Sequence, residues 1–223
     1  MSEVLYEKLK DFTRNNPQVT RRMLSRFHAF RESEIAELEK FIDWEVASFN
    51  LFLDWNPKLI EQKKEKLNWL VLSGNPKLPW DELLIERYEE RWNRAIISFN
   101  TGLPWSAELL AKYEESWIWS QLSRNTGLPW SIELLEQFEE KWNWEYICLN
   151  EHIPWNEGLI QRFEARMDWE ALSTNEGLPW SAQMLEKHSH QLAWPAISAN
   201  SAIPFQSGVF EQFKDGWGHW GIL

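Results

Sequence analysis

The stretch Thr101–Asn125, TGLPWSAELLAKYEESWIWSQLSRN, is followed at once by a near copy, Thr126–Asn150, TGLPWSIELLEQFEEKWNWEYICLN. Working outward from this pair, the closing asparagine recurs as Asn50, Asn75, Asn100, Asn125, Asn150, Asn175 and Asn200, always 25 residues apart. A fixed period of this length is the signature of a solenoid or related array, in which each repeat buries its apolar face against its neighbours. The expected fold is therefore all-α, a solenoid of short two-helix repeats forming a superhelix with a cap at each end. One continuous body without an internal linker is expected.

Numbering each repeat from 1 to 25, with the asparagine last, exposes the reason for two helices. Places 3 to 5 read Leu-Pro-Trp at Pro79, Pro104, Pro129 and Pro179, and proline holds the residue before it extended, which marks a connector. Place 6 is Asn56, Asp81, Ser106, Ser131, Asn156 or Ser181, the side chains that cap a helix start. Apolar residues flanking the cap, such as Trp105 and Leu110 or Trp130 and Leu135, form a hydrophobic staple. A second cap stands at place 18, as Asp43, Asn68, Asn93, Asn143 and Asp168, with its own staple. The pattern predicts one helix over places 7–17 and another over places 19–24. The asparagine at place 25 suits a left-handed terminal residue, with Gly102, Gly127 and Gly177 two places on.

The ends depart from the period. Residues 1–31 read as an N-terminal helical cap, with helices around Val4–Phe12 and Thr20–Phe30; residues 32–50 read as a degenerate first repeat. Six full repeats occupy 51–200, and 201–223, ending DGWGHWGIL, read as a partial repeat and C-terminal cap.

The strings LPWSAELL…WIWSQLSRN, LPWSIELL…WNWEYICLN and LPWSAQML…LAWPAISAN resemble a group of uncharacterised bacterial tryptophan-rich repeat proteins over about residues 51–200. The resemblance implies a repeat architecture and transfers no activity. Arg94 for Trp at place 19, Cys148 for the usual serine and Phe205 for Trp depart from its pattern.

Composition narrows the function. The 43% hydrophobic content with 17 tryptophans supplies ample core, and a net charge of −11 argues against direct nucleic-acid binding. The single cysteine excludes an internal disulfide and fits a reducing compartment. The start, MSEVLYEKLKDF, lacks the pattern of a secretory signal, and no apolar run approaches the roughly 18–20 residues that span a bilayer. A cytoplasmic protein without membrane attachment is expected.

Catalytic and cofactor motifs are not found. The serines of place 23 have no repeating His and acid beside them, the histidines show no ligand spacing, and Cys148 reads as a small core residue. The expectation is no enzyme, no cofactor and no metal. Most tryptophans fall at places 5, 17 and 19, where staples and helix packing employ them.

Two charged features remain. Arg14, Arg21, Arg22, Arg26 and Arg31 fall together with no acid between them, as a solvated cap face or a local anion contact. Glu89, Glu90, Glu114, Glu115, Glu139 and Glu140, at places 14 and 15, would align in stacked repeats as an acidic stripe. That stripe is either a solubilising face relieved by Arg87, Arg91, Lys112 and Lys141 or a docking surface for a basic partner. With Arg94, these glutamates are the candidate partner-binding residues. The leading expectation is a non-catalytic scaffold for a protein or peptide. The alternatives are an acidic decoy for a nucleic-acid-binding protein and, further off, a small-ligand binder or enzyme.

Overall fold

The computed structural model describes residues 14–204. The Val4–Phe12 helix and the DGWGHWGIL ending lie outside the described residues. Among these there are fifteen complete α-helices, three short 3-10 helices and no strand, so the protein is all-α. The chain divides into two compact units, Met1–Trp105 and Ser106–Leu223.

Both sets of caps form as their side chains require. At place 6, Asn56, Asp81, Ser106, Ser131, Asn156 and Ser181 each accept a hydrogen bond from the amide three residues on. At place 18, Asp43, Asn68, Asn93, Asn143 and Asp168 do the same. In each unit the most buried residues are those of places 10 and 22: Ile60, Ile85, Leu72 and Ile97 in the first, and Leu110, Leu135, Ile160, Leu185, Leu122, Ile147, Leu172 and Ile197 in the second, all 0–1% exposed.

The first helix is shorter than the periodicity predicts. It covers places 7–12, as in Ala107–Lys112, Ile132–Gln137 and Glu157–Arg162. The helix stops because place 13 leaves helical geometry and its carbonyl accepts from place 16, as in Lys141 N to Phe138 O at 2.9 Å and Arg166 N to Phe163 O at 2.8 Å. Carbonyls released at the break are taken by indoles. The place-17 indole donates to place 10, Trp92 to Ile85 at 3.1 Å and Trp142 to Leu135 at 3.2 Å. The place-19 indole donates to place 14, Trp69 to Lys64 at 2.8 Å, Trp119 to Glu114 at 3.0 Å and Trp144 to Glu139 at 3.1 Å. The tryptophans thus serve as core and as carbonyl caps together.

The closing asparagine is not left-handed. Asn100 and Asn175 sit at φ −72° and −74° with ψ 119°, in extended geometry. Its Oδ1 instead closes the loop by accepting the amide two residues on, as Gly102, Gly127, His152 and Gly177 donate at 2.7–3.0 Å. Its Nδ2 reaches the preceding repeat. Within the first unit Asn75 donates to Ser48 O and Asn50 O, and Asn100 to Ser73 O and Asn75 O. Within the second unit Asn150 donates to Ser123 O, Asn175 to Cys148 O, and Asn200 to Ser173 O and Asn175 O. The asparagine carbonyl in turn accepts the place-5 indole, from Trp55, Trp80, Trp105, Trp130, Trp155 and Trp180, at 2.9–3.0 Å.

A second polar ladder runs through place 23. Ser48, Ser73, Ser123 and Ser173 each donate to the carbonyl four residues back, and each oxygen accepts the cap amide of the next repeat, from Asn68, Asn93, Asn143 and Ala193 respectively. Ser25 does the same for Asp43 N, and Asn50 Nδ2 donates to Ser25 O. The helix Pro17–Phe27 is therefore joined to the first repeat as the repeats are joined to one another. Pro17 stands in its first turn, where its missing amide costs nothing.

Gly102, at place 2, is tight against the preceding repeat. A Cβ on Gly102 would lie 2.4 Å from Pro76 O and 2.6 Å from its Cα, both backbone atoms. Gly102→Ala is expected to destabilise by about 1–3 kcal/mol through forced separation of the two repeats, read as a lower urea midpoint. An unchanged midpoint would mean that the loop yields freely.

Candidate functional site

Most of the carboxylates of places 14 and 15 are engaged rather than free. In the second unit, Lys141 Nζ bridges Glu114 at 2.9 Å and Glu115 at 3.0 Å, and Arg166 pairs with Glu139 at 3.0 Å and with Glu140. Their hydrogen bonds to Lys141, Glu114 first, raise the pKa of its ammonium above the ordinary value. In the first unit Arg91 pairs with Glu65 at 2.6 Å, and Lys63 and Lys66 both approach Glu39. A cation at place 13 or 16 thus reaches back to an acid one repeat earlier. Glu115 and Glu140 keep an exposed side, while Glu90 is exposed with no ion pair among the described residues.

Arg94 pairs with Glu89 at 3.0 Å, not with Glu90, and its side chain is partly exposed. Its guanidinium stands where neighbouring repeats place an indole. Arg94→Trp is expected to hold stability level or raise it, because it exchanges a surface ion pair worth about 0–1 kcal/mol for aromatic burial. A fall in melting temperature would contradict that reading.

The aromatic positions are consumed by packing. Trp119 meets Phe138 at 5.0 Å and Trp142 at 4.9 Å, and Trp69 meets Tyr88 at 4.7 Å and Trp92 at 4.9 Å. His188 occupies the same aromatic slot, buried against Trp169 at 4.8 Å, with Nε2 3.3 Å from Glu157 and Nδ1 3.2 Å from Gln191. Cys148 is buried, its Sγ 3.6 Å from Met167 Sδ, and burial pushes its thiol up to about 12, away from nucleophilic reactivity. Among the described residues no group of His, Cys, Asp or Glu could hold a metal ion.

Tyr88 is a perturbed phenol. Burial first, and then its 2.5 Å hydrogen bond to Glu61, push it from 10.0 up to about 12. Between these values the folded protein keeps a proton that the unfolded chain has lost. The tyrosine's contribution is therefore complete below pH 10 and declines as pH rises towards 12. Relative to wild type, Tyr88→Phe is expected to lose the corresponding part of the alkaline decline, measured by urea unfolding at pH 9 to 11.5. Parallel curves for the two proteins would contradict this.

A cleft of about 670 Å³ lies in the first unit, lined by Arg21, Glu37, Glu39, Asp43, Trp44, Lys66 and their neighbours. Its lining mixes both signs of charge and holds no nucleophile with a base beside it. The more uneven feature is apolar exposure. Of the fourteen exposed large apolar side chains among the described residues, twelve belong to the first unit, and only Ile118 and Leu149 to the second. The periodicity does not reveal them, since most fall in the N-terminal segment or beside the closing asparagines.

No protein-family model, no curated protein and no solved structure matches the chain. Among the described residues no helix is long and apolar enough to cross a membrane.

Proposed function

We propose that the chain is a non-catalytic solenoid scaffold, a superhelix of the tryptophan-rich repeat type it resembles, that binds a protein or peptide through its first unit. The observation that carries this is the concentration of exposed apolar side chains there, including Phe27, Phe49, Phe52, Leu70, Leu83 and Phe99. Solvent-facing apolar surface of this kind marks association when it is contiguous. The ladders supply the complementary support: buried asparagines and serines such as Asn75, Asn100, Ser73 and Ser123 are spent on joining repeats. A buried lone thiol suits a reducing setting such as the cytoplasm.

A decoy for a basic nucleic-acid-binding protein draws on the exposed sides of Glu90, Glu115 and Glu140. Compensation by Lys141 and Arg166 counts against it. The test is capture of partners from the native cell by the intact protein at low and high salt, beside a Phe49→Ser/Phe52→Ser variant. A discrete protein retained at high salt and lost with the variant supports the scaffold. Basic proteins released by salt and indifferent to the variant support the decoy.

A further inference from the structure

The helix Pro17–Phe27 is built the wrong way round for a surface helix. Val19, Met23 and Phe27 stand at i, i+4 and i+8, so they share one face, and all three are exposed, Met23 at 52% and Phe27 at 59%. The buried contact of this helix is Ser25, turned towards Asp43 N, with Arg21 beside it donating to Ile42 O. An apolar stripe therefore faces solvent, where a surface helix ordinarily places polar residues.

The charge around the stripe is equally unusual. Among the described residues, Arg14, Arg21, Arg22, Arg26 and Arg31 make no ion pair, although the chain carries a net charge of −11. Most cations elsewhere hold carboxylates, among them Lys63, Arg91, Arg94, Lys141, Arg162, Arg166 and Lys187, whereas Lys40, Lys77 and Arg124 make no ion pair among the described residues. The Arg26 guanidinium lies 4.5 Å from the Phe49 ring and 5.5 Å from the Phe27 ring, which links the stripe to exposed Phe49. The patch is thus apolar along its centre and cationic along its edge.

We infer that this face docks an acidic amphipathic peptide segment, its apolar side chains on Val19, Met23 and Phe27 and its carboxylates beside Arg22 and Arg26. The inference rests on the scaffold reading and gives the partner at this site the sign opposite to the one the acidic stripe suggests. A helix-in-groove or helix-on-helix contact uses this combination of i, i+4 anchors with a charged rim. An anionic bilayer would supply the same two chemistries, but its extended negative surface would repel the remainder of a strongly acidic chain. A short peptide engages only the arginines within a Debye length of about 8 Å at physiological salt.

The probe is a random-peptide phage library selected against the intact protein, with the recovered peptides synthesised and their affinities measured by fluorescence anisotropy. Recovered peptides are expected to be acidic, with apolar residues spaced i, i+4, and to weaken as salt rises. Arg22→Glu/Arg26→Glu is expected to lower their affinity roughly tenfold or more. Both arginines are exposed and make no ion pair among the described residues, so circular dichroism should remain that of the wild type. Met23→Ser/Phe27→Ser, removing the apolar anchors, is expected to lower it similarly. Basic peptides, or peptides indifferent to both variants, would overturn this inference and leave a scaffold with another site. Recovery of no peptide would overturn both. Co-sedimentation with phosphatidylserine vesicles but not with phosphatidylcholine vesicles, and without peptide binding, would replace the peptide by a membrane.

Discussion

Trp142→Ala is expected to lower the unfolding free energy by roughly 4 kcal/mol, the scale of deleting a buried aromatic ring. Trp142 is buried among Trp119, Trp130 and Phe138, with centroids at 4.9, 5.1 and 6.1 Å. Its loss opens a cavity and also strips the indole from Leu135 O, a carbonyl that the short first helix leaves to it. Trp142→Phe should recover part of the packing and none of the hydrogen bond, and so fall between. Urea unfolding followed by far-UV dichroism checks the order. A loss below about 1 kcal/mol for the alanine variant would show that this ring is peripheral.

Asn75→Ala is expected to cost roughly 3 kcal/mol, well above the 1 kcal/mol typical of losing a single cap. The side-chain amide donates to Ser48 O at 3.3 Å and Asn50 O at 3.1 Å, and its oxygen accepts Lys77 N at 2.9 Å. Truncation leaves all three groups without this partner in a site where the asparagine itself is 3% exposed. Asn75→Asp keeps the acceptor and loses both donors, placing a carboxylate against two carbonyls, and should be at least as damaging. Equal stability of the alanine variant and the wild type would remove the ladder from the account of what joins the repeats.

The local chemistry of each repeat is legible in the sequence. Ser131 and Asn143 announce helix starts because their partners lie three residues away, and local spacing is what a sequence displays. The ladder is not legible in the same way. Asn100 reads as a terminal residue when its partners, 25 and 27 residues back, are unknown, and so the left-handed geometry expected of it is replaced by an extended one. The first helix is overextended for a related reason: nothing in the periodicity tells that Trp142 will hold the carbonyl of Leu135. Ser25 escapes the 25-residue period because it stands 23 residues before Ser48. The candidate glutamates Glu114, Glu115, Glu139 and Glu140 lie in the turn after the shortened first helix, not within it, and the cations of place 16 that reach them belong to the following repeat. The exposed stripe of Val19, Met23 and Phe27 has a visible i, i+4 spacing, but the sequence cannot say that this face points outwards.

Amide hydrogen exchange at place 18 tests the joining of repeats most directly. Asn68, Asn93, Asn143 and Ala193 stand at helix starts, where the amide has no partner within its own helix. Each donates instead to a serine of the preceding repeat, at 2.8–3.0 Å. The ladder predicts that these four amides exchange as slowly as those of the core helices, and that Ser123→Ala releases Asn143 far more than the other three. Exchange at the rate of an open loop in the wild-type protein would contradict it.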